Sequence, residues 1–151
     1  MKNPYTKGDT VYLSIPMSGR TDADIREHAD RLTAELKGMG LIVHDPTLAP
    51  DHKSCEKCVD YRQTIMADLR DMRRCKHIAL ARGWQQSLGC MVEVTAFMAW
   101  NDHGARRSTV FEEHHEYLVV GRTGYHDLRW KWENLAFVHK FDDAAKQGEG
   151  A

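Results

Sequence analysis

The sequence predicts an α/β fold, and three observations predict it. Short apolar runs rich in β-branched residues alternate with segments of helical period, and those segments are long enough to serve as crossovers. The length, 151 residues, is that of one compact domain. Strands joined by helix-length crossovers lie parallel, with helices on both faces of the sheet. The expectation is a single Rossmann-like (flavodoxin-like) domain over 1–151, with a parallel sheet of 4–5 strands flanked by helices. Its core spans about residues 10–120, and a C-terminal helical extension spans about 121–151.

Thr10-Val-Tyr-Leu-Ser-Ile15 reads as the first strand, running into the turn Pro16-Met-Ser-Gly19. Thr21 or Asp22 can cap the helix that follows, in which Ile25, Ala29, Leu32, Leu36 and Met39 recur at steps of three or four. Gly38 and Gly40 end it. Leu41–His44 is a second strand, stopped by Asp45-Pro46, and residues 46–58 (PTLAPDHKSCEKC) read as a loop. Tyr61–Lys76 is helical, with Tyr61, Ile65, Leu69 and Met72 on one face; His77–Ala81 is a third strand; Leu88–Trp100 is a third helix. Beyond Asn101, either Ser108–Phe111 or Tyr117–Val120 suits a fourth parallel strand, and Leu128–Ala145 reads as largely helical.

Composition excludes several classes. With 42% apolar and 28% charged residues the chain is neither a disordered tail nor a membrane protein. The start, MKNPYTKGDT, lacks the apolar core of a signal peptide. The longest stretch free of Asp, Glu, Lys and Arg, Gly83–Val92, is about half of the ~20 residues a spanning helix needs. A cytoplasmic protein without membrane contact is expected. A net charge of −1 offers no general attraction to nucleic acid, and four cysteines are too few for a disulfide scaffold.

In an open parallel sheet, ligands bind at the carboxyl ends of the strands. Three segments arrive there: Ser14–Arg20, Asp45 onward, and Arg82–Gly89. Ser14, Met17, Ser18, Gly19, Arg20 and Trp84 are therefore candidate substrate contacts. Glu93 is the single charge between Leu88 and Trp100, with Ala96, Phe97 and Trp100 as its helical neighbours. A lone carboxylate among apolar groups is costly to bury and demands partners. A glutamate snorkelling near a helix start would explain it equally well. Ser87-Leu-Gly89 can seat a phosphate on a helix N-terminus, or be an ordinary serine cap. Asp68 falls at the rim of the apolar face formed by Ile65, Leu69 and Met72, within reach of the strand ends or of an ion pair with Arg70 or Arg73; Asp71 points further out.

Tyr12-Leu-Ser-Ile-Pro-Met-Ser-Gly19, Asp68-Leu69 and Ser87-x-Gly89-x-x-x-Glu93 together resemble the nucleoside 2-deoxyribosyltransferase superfamily. The resemblance is nearest to its nucleoside 5′-monophosphate N-glycosidase branch and the small phage-type relatives of that branch, over about residues 10 to 103. It implies that Glu93 attacks the anomeric carbon, that Asp68 helps protonate the departing base, and that Tyr12 lies near the sugar. It places a 5′-phosphate on Ser87 and Gly89, and implies a homodimer or higher homo-oligomer in which Ser108 is a candidate contact to the neighbouring site. Departures are Ile15 where the family has a glycine, Arg20 as the nearest arginine to the first loop, Lys76-His77 in place of an aspartate before the third strand, and Trp84 lengthening the loop before Ser87. Breaking an N-glycosidic bond passes through an oxocarbenium-like state, which a carboxylate stabilises or traps. By analogy with retaining glycosidases the two carboxyls should lie roughly 5–5.5 Å apart.

Other signals rank lower. His52-x-x-Cys55-x-x-Cys58 has zinc-ligand spacing and Cys75 offers a fourth ligand, but one Cys-x-x-Cys without a second pair is weak; no metal and no cofactor are expected. His114-His115 among Glu112, Glu113 and Glu116 reads as a solvated charged face. Arg122–Lys131 interleaves Tyr125 and Trp130 with basic residues and ends beside Trp132, a pattern that suits packing of the extension better than binding of single strands. The expected function is hydrolysis of the N-glycosidic bond of a (deoxy)nucleoside 5′-monophosphate. The alternatives are a deoxyribosyltransferase and a nucleotide-binding module without turnover.

Overall fold

The computed structural model describes residues 5–48, 61–102, 108–114 and 117–122. Along the chain run β1 (Thr10–Ser14), α1 (Asp22–Gly38), β2 (Ile42–His44), α2 (Tyr61–Met72), β3 (His77–Leu80), α3 (Leu88–Asp102), β4 (Thr109–His114) and β5 (Tyr117–Arg122). Short 3-10 turns at Pro46–Leu48 and Trp84–Gln86 follow β2 and β3. The strands form one sheet in the order β2-β1-β3-β4-β5. The first four in that order run parallel and β5 is antiparallel to β4. The fold is the α/β arrangement expected, a parallel sheet flanked by three helices.

The two candidates for the fourth parallel strand are not alternatives. Ser108–Phe111 leads into β4, which is parallel, whereas Tyr117–Val120 lies in β5, which reverses direction. Only two positions separate β4 from β5, and a parallel connection needs a dozen or more residues, so the pair closes as a hairpin. The helix expected over 128–145, and residues 49–60 with His52, Cys55 and Cys58, lie outside the described residues.

Local chemistry explains the other boundaries. Thr21 caps α1 by accepting the Asp24 amide at 3.1 Å, and Asp22 and Asp24 sit in the first turn where the helix dipole favours acids. Gly40, at φ +88°, ends it in the left-handed region that side-chain-bearing residues avoid. α2 stops at Met72, the last residue of its apolar face, four residues short of the expected end at Lys76. The amides of Arg74 and Cys75 bond three residues back, and Lys76 already donates to Thr10 of β1 at 3.0 Å. Competition from the sheet thus ends the helix.

The sheet buries both faces. Val11, Leu13, Ile15, Ala79 and Phe111 pack on Ala29, Leu32 and Leu36 of α1. Tyr12, Ile78, Leu80 and Val110 pack on Met72 of α2 and on Cys90, Val94, Phe97 and Met98 of α3. β3 lies between β1 and β4 and is buried at every position, which is why His-Ile-Ala-Leu shows no polar alternation. Its histidine needs partners. The Thr109 amide donates to His77 Nδ1 at 2.9 Å, so the proton sits on Nε2, which donates to Asp9 Oδ2 at 2.8 Å. Burial, outweighing the bond to Asp9, holds the His77 pKa below its ordinary value. His77 is therefore a neutral clamp at the amino-terminal edge of the sheet, joining β3, β4 and the entry to β1.

Candidate active site

At the opposite, carboxyl-terminal edge, β1 meets α3. Tyr12 and Ser14 are two residues apart on β1 and so point to the same face, the one covered by α2 and α3. Glu93 lies in the second turn of α3 and is turned inward, 7% exposed. The Tyr12 hydroxyl donates to Glu93 Oε2, and the Ser14 hydroxyl donates to Oε1 at 3.0 Å. Each carboxylate oxygen thus has its own donor from one strand. Burial, then the neighbouring Glu93 and Asp68 carboxylates, push the Tyr12 phenol well above its ordinary value, so Tyr12 stays protonated and keeps the hydrogen it gives to Glu93. Two hydroxyl donors favour the charged form of a carboxylate. Glu93, the single charge between Leu88 and Trp100, is therefore a buried and hydrogen-bonded carboxylate rather than a snorkelling surface residue.

Asp68 is buried on α2, and its charge is among those felt by Tyr12. His44, the last residue of β2, is the ladder partner of Tyr12 and stacks on its ring, with centroids 5.7 Å apart and planes 19° apart. His44 Nε2 lies 3.5 Å from Asp71 Oδ2, so Asp71 is not simply solvated. At the start of α3, Ser87 Oγ accepts the Cys90 amide at 3.3 Å. It is the helix cap. Burial pushes the Cys90 thiol up to about 11, so it stays in its neutral thiol form.

Residues 9–100, more than half of the chain, match a family described as a domain of unknown function (DUF4406). The chain belongs to that family. No match was found among curated proteins or among solved structures. The DUF4406 span contains Tyr12, Ser14, Asp68, Ser87 and Glu93, so the whole of the carboxylate arrangement lies within the family's domain.

Other candidates from the sequence fall in different places. Met17 is half-buried, and Ser18 and Gly19 are exposed, in the loop between β1 and α1. Arg20 is committed to that loop: Nη1 donates to the Pro16 carbonyl at 2.8 Å, Nε to Asp24 at 2.8 Å and Nη2 to His28 Nδ1 at 3.1 Å. Gly89 is in the first turn of α3, half-buried. Trp84 is not at the surface but buried in the core beside Tyr12 and Cys90, and its indole nitrogen has no hydrogen-bond partner among the described residues. Ser108 is buried at the amino-terminal edge next to the His77 clamp, so the structure does not bring it to Glu93 of the same chain. Cys75 is buried after α2, where burial raises its thiol to about 11.

Sequence reasoning missed His44 as a neighbour of the site. Its position, a histidine closing the strand next to Tyr12, was the available signal. Glu112 and Glu113 are not a solvated face: both are 7% exposed at the end of β4. Among the described residues no group of three or more His, Cys, Asp and Glu is arranged to hold a metal.

Proposed function

We propose that the chain hydrolyses the N-glycosidic bond of a (deoxy)nucleoside 5′-monophosphate. The observation that carries this reading is the Glu93 carboxylate, buried at the carboxyl edge of the sheet with one hydroxyl donor on each oxygen. A carboxylate oriented and desolvated in this way stabilises positive charge that develops beside it. As the bond from C1′ to the base breaks, a Glu93 oxygen bonds to C1′ and Asp68 gives its proton to the base nitrogen. Water then attacks C1′, returns a proton to Asp68 and releases the sugar 5-phosphate from Glu93. Ser87 and the first amides of α3 provide a seat for the 5′-phosphate, with the helix dipole favouring the anion. The resemblance to the N-glycosidase branch of the deoxyribosyltransferase superfamily supports the same roles.

Two departures from that resemblance bear on whether turnover is retained. Ile15 packs with the α1-side core, away from Tyr12 and Glu93. Lys76 lies at the amino-terminal edge, 3.6 Å from Asp9. Neither side chain occupies the carboxylate site, which favours a catalytic site over a module that only binds. The test is chromatography of ribo- and deoxyribonucleoside monophosphates incubated with wild type and Glu93→Ala. Release of base by wild type alone supports the hydrolase. Base exchange only on adding a free base makes it a transferase, and an intact panel with retained binding makes it a binding module.

A further inference from the structure

On the α1 side of the sheet, a second set of polar side chains is buried at the same carboxyl edge. Glu113 lies on β4, one residue past the last ladder pair with β3. Its Oε1 accepts the backbone amide of Arg82 at 2.9 Å and lies 2.6 Å from His28 Nε2; Arg31 Nη2 stands 3.5 Å from Oε2. His28 is buried on α1, and its Nδ1 faces Arg20 Nη2. A guanidinium can only donate, so Nδ1 is the acceptor and Nε2 carries the hydrogen given to Glu113. Arg20 in turn holds the Pro16 carbonyl. One buried carboxylate is thus linked to both loops that flank Glu93, to Pro16–Arg20 through His28 and to the turn after β3 directly.

The two loops also share a weak point. Arg20 follows Gly19 at φ +74°, and Arg82 precedes Gly83 at φ +90°, so each held residue adjoins a left-handed glycine where the backbone turns. A Cβ added at Gly83 would meet the Pro16 ring at 3.6 Å, so the loops lie against one another. We propose that Glu113 is a positioning residue that fixes these two loops relative to each other, so that both sides of the site move as one body. Both links end on the one carboxylate, so losing Glu113 frees both loops at once, whereas losing a partner on one side frees that side alone.

Amide hydrogen exchange on the free protein tests this for wild type, Glu113→Gln and Arg20→Gln. Glu113→Gln is expected to speed exchange about tenfold or more at both residues 17–20 and residues 82–84, beyond any change in β1 and β3. Arg20→Gln is expected to speed only residues 17–20. Wild-type protection at 17–20 in Glu113→Gln, or one common acceleration of every amide, overturns the proposal. Should Glu113→Gln fail to fold, His28→Gln cuts the same link and must loosen 17–20; an unchanged pattern there overturns it equally. The bearing on nucleotide turnover rests on the function proposed above: Glu113→Gln then raises KM about tenfold with a smaller change in kcat. A wild type that releases no base removes that function and leaves the exchange result to decide the brace.

Discussion

The Tyr12 hydroxyl and the Glu93 carboxylate are 81 positions apart in the chain and share a buried hydrogen bond, strand to helix. Because the phenol is held protonated, the bond has a fixed direction. Tyr12→Phe removes that donor and nothing else of size. Base release should fall by roughly 10²-fold, the usual loss for one donor to a reacting group, while circular dichroism stays that of the wild type. Ser14→Ala should act on the same carboxylate, and the double variant should lose less than the product of the two singles. Strict additivity would mean that the hydroxyls serve different groups.

Glu93→Gln keeps the shape and removes the charge. If Glu93 is the nucleophile proposed above, activity should drop by roughly 10³-fold or more. Stability should stay within about 1 kcal/mol of wild type or rise, because a buried carboxylate is replaced by a neutral amide among the same hydroxyls. Urea unfolding beside the activity assay checks both halves. A large destabilisation would make Glu93 a structural residue.

Ser87 caps α3, and on the function proposed above it also seats a phosphate; one substitution separates the two. Aspartate caps a helix at least as well as serine, yet repels a phosphate. Ser87→Asp should keep the melting temperature and raise KM for a nucleoside monophosphate by about 10-fold or more, with little effect on the unphosphorylated nucleoside. Ser87→Ala should instead cost about 1 kcal/mol of stability as well. Equal KM shifts for phosphorylated and unphosphorylated substrates would remove the phosphate from this position.

The acid limb of stability should have two steps. His77 has its folded pKa below the ordinary 6.5, through burial, so its contribution is full above that value and is lost as pH falls through the folded value. Burial alone would raise Glu113, but the His28 bond, the Arg82 amide and Arg31 hold it down to about 2 against an ordinary 4.5. Its contribution is therefore present above 4.5 and lost as pH falls toward 2. Urea midpoints against pH should decline first below about 6.5 and again below about 4.5, and Glu113→Gln should flatten the second step alone. A midpoint flat from about pH 7 to about pH 5 would contradict the His77 clamp.

His77→Ala strips the acceptor from Thr109 and the donor from Asp9 in a fully buried place. The expected cost is about 2–4 kcal/mol, read from urea unfolding. The clamp is at the sheet edge opposite Glu93, so KM and kcat of the folded fraction should stay within about twofold.

The alternation of apolar runs and helical segments made the β1-to-α3 order legible, because each element carries its own period. Glu93 stands out in the sequence as the single charge between Leu88 and Trp100, but that pattern suits a snorkelling residue equally well, and only its two hydroxyl partners from β1 decide between them. What could not be read were partnerships across the sheet. Glu112-Glu113-His114 looks like solvent-facing charge, since nothing nearby in sequence announces that His28, 85 positions earlier, will meet Glu113 from another helix. Arg20 likewise looked available to a ligand, and only the packed loop reveals its three internal acceptors. β5 was misread as a parallel candidate because an apolar run does not state its direction; the short connection to β4 does.

That reversal of β5 has a practical consequence. Arg122 pairs with Thr109, so the backbone leaves β5 beside the start of β4. A tether or reporter joined directly after Arg122 would depart from the amino-terminal edge of β4, opposite the edge that holds Glu93. Surface immobilisation through that point should leave the carboxyl edge turned toward the bulk solution.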